Sequence, residues 1–102
     1  MRMGSHTLPN IKVTAKIHAA IETKAARYTG RIVEISDRGF QITAECAHVY
    51  ASPKTGETAT GELLVNGTLL KVTGRLSFLA PPHVSIDIDV PLDLALILPS
   101  PA

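Results

Sequence analysis

Gly30-Arg31-Ile32-Val33-Glu34-Ile35-Ser36-Asp37-Arg38-Gly39-Phe40-Gln41-Ile42 reads as strand, turn, strand. The first arm runs from about Arg27 to Ile35. Its β-branched Ile32, Val33 and Ile35 favour a pleated, half-buried segment. Ser36-Asp37-Arg38-Gly39 carries turn chemistry: short polar side chains that bond nearby backbone, then a glycine free to take positive φ. The second arm alternates Phe40, Ile42 and Ala44 with Gln41, Thr43 and Glu45, the period of a strand with one buried face.

The same period extends outward in both directions. Ile11, Val13, Ala15, Ile17, Ala19 and Ile21 alternate with polar or small residues, predicting one strand over 11–22. Thr23 to Ala26 is its connection to the Arg27 arm. Downstream, Cys46 to Ala51 reads as irregular or as a short edge strand, and Pro53-Lys54-Thr55-Gly56 as a turn. A strand ending in Leu63-Leu64-Val65 meets Asn66-Gly67, the strongest short hairpin signal. Its partner holds Leu69, Leu70, Val72, Leu76 and Phe78, with Gly74 as a candidate bulge. Ala80-Pro81-Pro82 forces a break, and Val84, Ile86, Ile88 and Val90 form a last alternating strand ended by Pro91. Leu92 to Leu98 reads as a short helix or a seventh strand, with the helix preferred.

Short strands with turn punctuation, and no long amphipathic helix, predict an all-β fold. The expected form is a small antiparallel barrel of six to seven strands, possible edges being removed by closure. Residues 1–10 are expected to be an N-terminal tail, 11–98 the barrel and 99–102 a second tail. Gly4-Ser5-His6 matches a common cloning scar, so part of residues 1–6 is a candidate vector remnant.

Composition narrows the function. The 102 residues carry 10 Lys plus Arg against 9 Asp plus Glu, and a net charge of +1 argues against a phosphate-backbone binder. Four aromatic residues and no Trp argue against a base-stacking platform. No apolar run approaches the ~20 residues of a membrane helix. Cys46 is the only cysteine, so no internal disulfide and no thiolate-only zinc site can form.

Catalytic patterns are thin. There is no Gly-x-Ser-x-Gly elbow and no phosphate-cradling glycine loop before a helix. Cys46-Ala47-His48 puts a thiol and an imidazole on one side of a strand, and the simpler reading is a small thiol beside an edge histidine. Asp87 and Asp89 share a strand face, a spacing compatible with acid/base or cation chemistry. No third ligand stands at motif spacing, so a solvated outer face is the simpler reading. His6, His18, His48 and His83 lack metal-ligand spacing. The expectation is a non-enzyme with no catalytic residues, no metal and no resident cofactor.

The stretch quoted first resembles the core of the PilZ domain. That family's Asp/Asn-x-Ser-x-x-Gly signature closes one strand and opens the next, and Glu34-Ile35-Ser36-Asp37-Arg38-Gly39 occupies its frame. Ser36 and Gly39 match, while Glu34 replaces Asp or Asn. Gly56-Glu57, the Leu63 to Leu76 hairpin and Val84-Ser85-Ile86-Asp87-Ile88 look like the family's later strands. The resemblance spans roughly Ile11 to Val90. It implies a six-stranded barrel, often with a C-terminal helix, and cyclic di-GMP as the typical ligand. The family holds that ligand with a second motif, Arg-x-x-x-Arg, before the first strand.

Here the corresponding positions are His6 and Asn10, and neither carries a guanidinium. Arg27-Tyr28-Thr29-Gly30-Arg31 fits the pattern literally but lies on the strand leading into Glu34, not before the preceding one. Guanidinium forks bind phosphates and purine edges bidentately. Losing both removes several charge-assisted bonds worth ~1.5–3 kcal/mol each. Glu34 also pushes its longer carboxylate toward the ligand. The resemblance thus implies a degenerate nucleotide site at Glu34, Ser36, Arg38 and Gly39, in a cytoplasmic regulatory domain of bacterial signalling. Such a domain would act as an adaptor on a bacterial protein partner or a fused module, without nucleic-acid binding or membrane insertion. The alternative is a true cyclic di-GMP domain whose arginines lie outside this chain or elsewhere in a larger protein. A purely local role competes with both: Ser36 caps a tight turn, and Gly39 completes it.

Overall fold

The computed structural model describes residues 11–13, 16–65 and 67–93. They form seven strands: β1 (Ile11–Lys12), β2 (His18–Glu22), β3 (Ala26–Ser36), β4 (Gly39–Val49), β5 (Thr58–Val65), β6 (Thr68–Ala80) and β7 (His83–Ile88). Every pairing is antiparallel. The order β3-β2-β5-β6-β7-β4 returns to β3 through the β3–β4 pairing, so six strands close a small barrel. The short β1 adds to the end of β3. No helix occurs among the described residues.

The inward positions fill the barrel. Ile21, Tyr28, Ile32, Ile35, Ile42, Leu63, Leu76, Val84 and Ile86 are buried to within 2% exposure. Burying an apolar side chain of this size is worth about 1.5–3 kcal/mol, so this cluster is the main source of stability. Tight turns set the register. Val65 lies opposite Thr68, and Gly67 takes the left-handed φ of 81° that this hairpin needs. At the β2–β3 turn, buried Thr23 accepts the Ala25 and Ala26 amides on Oγ1 at 3.0 and 3.1 Å.

Several expectations are corrected. The 11–22 strand is two strands. Ile11 pairs with Ile35 but His18 pairs with Arg31, so three extra residues lie between the two registers. The excursion is bracketed by Val13 N–H on the Val33 carbonyl and Ile32 N–H on the Ile17 carbonyl, each 2.9 Å. Residues 46–49 belong to β4, which runs unbroken for 11 residues. Gly74 is no bulge. It pairs in register with Ala59 and Ile88, and a Cβ there would collide with the Asp87 carbonyl. Gly39 does take a positive φ, 159°, but one close to extended, and backbone crowding adds a second requirement for glycine: a Cβ would overlap the Ile86 carbonyl. β7 stops at Ile88, and Val90 is 73% exposed beyond it. Of the expected helix, Leu92 and Asp93 carry no regular structure, and the rest lies outside the described residues.

The bulges sit elsewhere. The register slips by one residue at Val33, at Glu45 and at Ser77. An extra residue reverses the faces of all that follow. Leu76 points inward and is buried, yet Phe78 points outward and is 48% exposed. Likewise Ile32 and Ile35 both face the core, and Glu34 is turned to the outer surface.

Candidate functional site

The turn quoted at the outset closes the β3–β4 hairpin, with Ser36 opposite Gly39. The Ser36 hydroxyl accepts the Arg38 amide at 3.2 Å, so it caps its own turn as the local reading expects. The Arg38 carbonyl takes the Ile88 N–H at 2.8 Å, and the Asp37 carbonyl takes the Leu92 N–H at 2.7 Å. The turn is thereby tied to β7 and to the chain beyond it. The Arg38 side chain is exposed.

Two rows of side chains cross the outer surface beside this turn. Register aligns Glu34, Gln41, Ser85 and Phe78 in one row, and Ser36, Gly39, Asp87 and Arg75 in the next. Gly39 contributes no side chain, so the second row has a gap. The result is a depression of about 280 Å³, lined by Glu34, Ser36, Gln41, Phe78, Ser85 and Asp87 among others. Its floor is stiffened by the Ser85 hydroxyl donating to Gln41 Oε1 at 3.2 Å.

Three of the four expected nucleotide-site residues, Glu34, Ser36 and Gly39, therefore meet at one depression, and Arg38 does not line it. His6 and Asn10 lie outside the described residues. The lining contains the carboxylates of Glu34 and Asp87 and no Lys or Arg. A cation stands one strand away, where Arg75 is opposite Asp87. Arg75 turns Nη1 to the Gly56 carbonyl at 3.1 Å. The volume falls just below the roughly 300–1,000 Å³ of pockets that enclose drug-sized ligands.

The literal Arg27-x-x-x-Arg31 pattern serves other ends. Arg27 holds Glu22 at 3.0 Å and Glu62 at 3.2 Å. Its guanidinium pKa is pushed further up, chiefly by the Glu62 hydrogen bond. Arg27 lies nine positions from Ser36 along β3, roughly 30 Å at strand rise. Arg31 is exposed and opposite His18.

The remaining candidates are dispersed. Asp87 is exposed at the depression, and Asp89 is exposed past the end of β7 with its N–H on the Thr73 carbonyl at 2.9 Å. Both carboxylates are exposed, which leaves the acid-pair reading without support among the described residues. Cys46 and His48 both face outward, opposite Thr29 and Arg27, and both are exposed. Among the described residues no group of three His, Cys, Asp or Glu is placed to hold a metal. None of their helices is long and apolar enough to cross a membrane. A wider groove of about 710 Å³ runs along Glu22, Lys24, Glu57 and Arg75, where cations and carboxylates balance. Beside it, burial first and Glu57 second raise the Tyr28 phenol above its ordinary range.

Gln41, Ser77, Phe78 and Ser85 complete the depression without having been singled out by sequence. Only register could have found them, because they arrive from β4, β6 and β7.

Comparison with protein-family models, with curated proteins and with solved structures gives no match.

Proposed function

We propose that this chain is a PilZ-type regulatory domain of bacterial cyclic di-GMP signalling, with a degenerate ligand site, acting in the cytoplasm through contacts with a protein partner or a fused module. The lining of the depression carries the proposal. It gathers the motif residues Glu34, Ser36 and Gly39, presents two carboxylates and contributes no guanidinium. A bis-phosphate ligand needs the opposite charge. The Ser36 hydroxyl, which caps its own turn, is a single neutral donor and does not replace the charge of the missing guanidinium groups. Closure of six antiparallel strands agrees with the architecture that the resemblance implies.

Calorimetric titration with cyclic di-GMP tests the reading. No heat of binding is expected at tens of micromolar ligand. Micromolar or tighter binding that disappears in Ser36→Ala would instead establish a working receptor.

A further inference from the structure

The β2–β5 ladder ends where Glu22 lies opposite Thr60. There β2 turns off through Thr23 and Lys24, while the chain leading into β5 stays bonded to β6 as far back as Gly56. Thr58 pairs with Arg75, the Leu76 N–H donates to the Glu57 carbonyl at 2.9 Å, and the Gly56 N–H donates to the Leu76 carbonyl at 2.6 Å. Gly56 and Glu57 thus share one partner, and Gly56 takes a left-handed φ of 91°, the geometry of a glycine-led bulge. The barrel wall is therefore open between the β2–β3 turn and the start of β5, and the groove of about 710 Å³ lies in that opening. Its size falls within the roughly 300–1,000 Å³ of small-molecule sites.

Alternation decides what faces the inner side of this groove. Ala59, Gly61, Leu63 and Val65 of β5 are buried, and the same period puts Glu57 on the inner face. Glu57 Oε1 is buried and meets no hydrogen-bond donor among the described residues. A buried carboxylate oxygen left this way carries a desolvation cost that a donor would offset. The charge of Glu57 also reaches the buried Tyr28 phenol, which burial first and Glu57 second push up. The other charges of the groove differ in how they are engaged. Glu22 is held by Arg27 at 3.0 Å, and Arg75 turns Nη1 to the Gly56 carbonyl at 3.1 Å. Lys24 is exposed and enters no ion pair among the described residues. The groove thus offers one buried acceptor on its inner side and one uncommitted cation at its rim.

We propose that this groove binds a small zwitterion, with a primary ammonium on Glu57 and a carboxylate on Lys24. An ammonium presents three donors on a compact centre, and its bond to a carboxylate is charge-assisted. A ligand with a cation alone would meet Lys24 with like charge, and one with an anion alone would meet Glu57 in the same way. Opposite charges at the two ends answer both groups. The site shares no lining residue with the depression beside Ser36, and the proposal does not draw on the cyclic di-GMP or adaptor reading.

The test titrates glycylglycine into the full chain and follows backbone amide shifts by heteronuclear NMR. Shifts should concentrate at Lys24, Glu57 and Thr58, with a Kd of about a millimolar or tighter. Glu57→Gln keeps the side-chain shape but removes its charge, so affinity should drop about tenfold or more. Lys24→Ala changes an exposed turn position and should cost only about two- to fivefold, less at high salt. Ethylamine, which has the ammonium alone, and N-acetylglycine, which has the carboxylate alone, should each bind about fivefold or more weakly. Should Glu57→Gln fail to fold, Lys24→Ala and the two single-ended probes still decide. The proposal is overturned if either single-ended probe binds as tightly as glycylglycine, if both variants bind as the parent does, or if the shifts scatter over the whole surface. No response to about 10 mM glycylglycine overturns it in favour of an ordered water on Glu57 Oε1.

Discussion

Gly39→Ala tests whether the motif glycine serves the fold or a ligand. Gly39 opens β4 opposite Asp87. A Cβ there would overlap the Ile86 carbonyl oxygen, with the carbonyl carbon at 3.1 Å and the Asp87 Cα at 3.3 Å. All three atoms are backbone, so no rotamer change relieves the contact; β4 and β7 must move apart. Overpacking costs ~1–3 kcal/mol, and a neighbour that cannot rotate puts this site in the upper half, about 2–3 kcal/mol. For about 100 residues each kcal/mol lowers Tm by roughly 4–8 °C, so a loss of roughly 10–20 °C is expected. Total stability of ~5–15 kcal/mol leaves the variant folded at room temperature. Thermal unfolding followed by circular dichroism gives the answer, with Gly67→Ala as the control. Nothing lies within 4 Å of a Cβ at Gly67, so only its left-handed φ of 81° is penalised, by about 1–2 kcal/mol. If Gly39→Ala melts within ~3 °C of the parent, well below the range expected from overpacking, the crowding argument is wrong. The glycine would then be better explained as room for a ligand.

Three further outcomes follow from the geometry. Thr23→Ala strands the Ala25 and Ala26 amides in a buried turn and should lower unfolding free energy by about 1–3 kcal/mol in urea titrations. An unchanged midpoint would mean that water replaces the hydroxyl. Arg27→Ala removes contacts to Glu22 and Glu62 on a surface where the arginine side chain is 33% exposed. Surface pairs are worth little, so a loss of about 1 kcal/mol is expected, shrinking in high salt; a larger, salt-independent loss would contradict it. Tyr28 keeps its proton to higher pH when folded, first through burial and second through Glu57. The folded protein thus binds more protons than the unfolded chain once pH passes the ordinary phenol value near 10. Stability should be flat below that value and fall as pH rises toward the folded pKa, with Tyr28→Phe abolishing the slope. A parent and Tyr28→Phe with identical alkaline unfolding profiles would refute the assignment.

Much of the barrel was legible because most of its strands are buried on one face only. Phe40 and Ile42, and Val84, Ile86 and Ile88, alternate with polar residues and are inward as expected. Asn66-Gly67 marked the β5–β6 hairpin, where Gly67 is left-handed. The failures share a cause. Whether Ile11 to Ile21 forms one strand or two depends on where β3 accepts each piece, and the alternation of the segment is silent about its partner. The site divides the same way. Glu34, Ser36 and Gly39 are local to one hairpin and were visible as a motif. Gln41, Ser85 and Phe78 join Glu34 only through the registers of β4, β7 and β6. One trace of this did stand in the sequence: Ile32 and Ile35 are both inward and three apart, a spacing that no unbroken strand permits.

The bulges connect the fold to the depression and to the exposed end of β4. With uninterrupted alternation from Ile32, Glu34 would face the core, and a buried carboxylate costs several kcal/mol. The extra residue Val33 avoids that cost by turning Glu34 outward and restoring Ile35 to the interior. Ser77 does the same on β6, moving Phe78 from an expected core position to the wall of the depression. Glu45 marks the place where β4 leaves the closed part of the barrel. Residues up to Ala44 have neighbours on both sides, and beyond the bulge β3 is the one strand paired with β4 among the described residues. A bulge bends its strand and increases local twist, which both closes a six-stranded barrel and interrupts its pairing. The residues that shape the depression and those that leave an edge open are thus consequences of how this short sheet curves on itself.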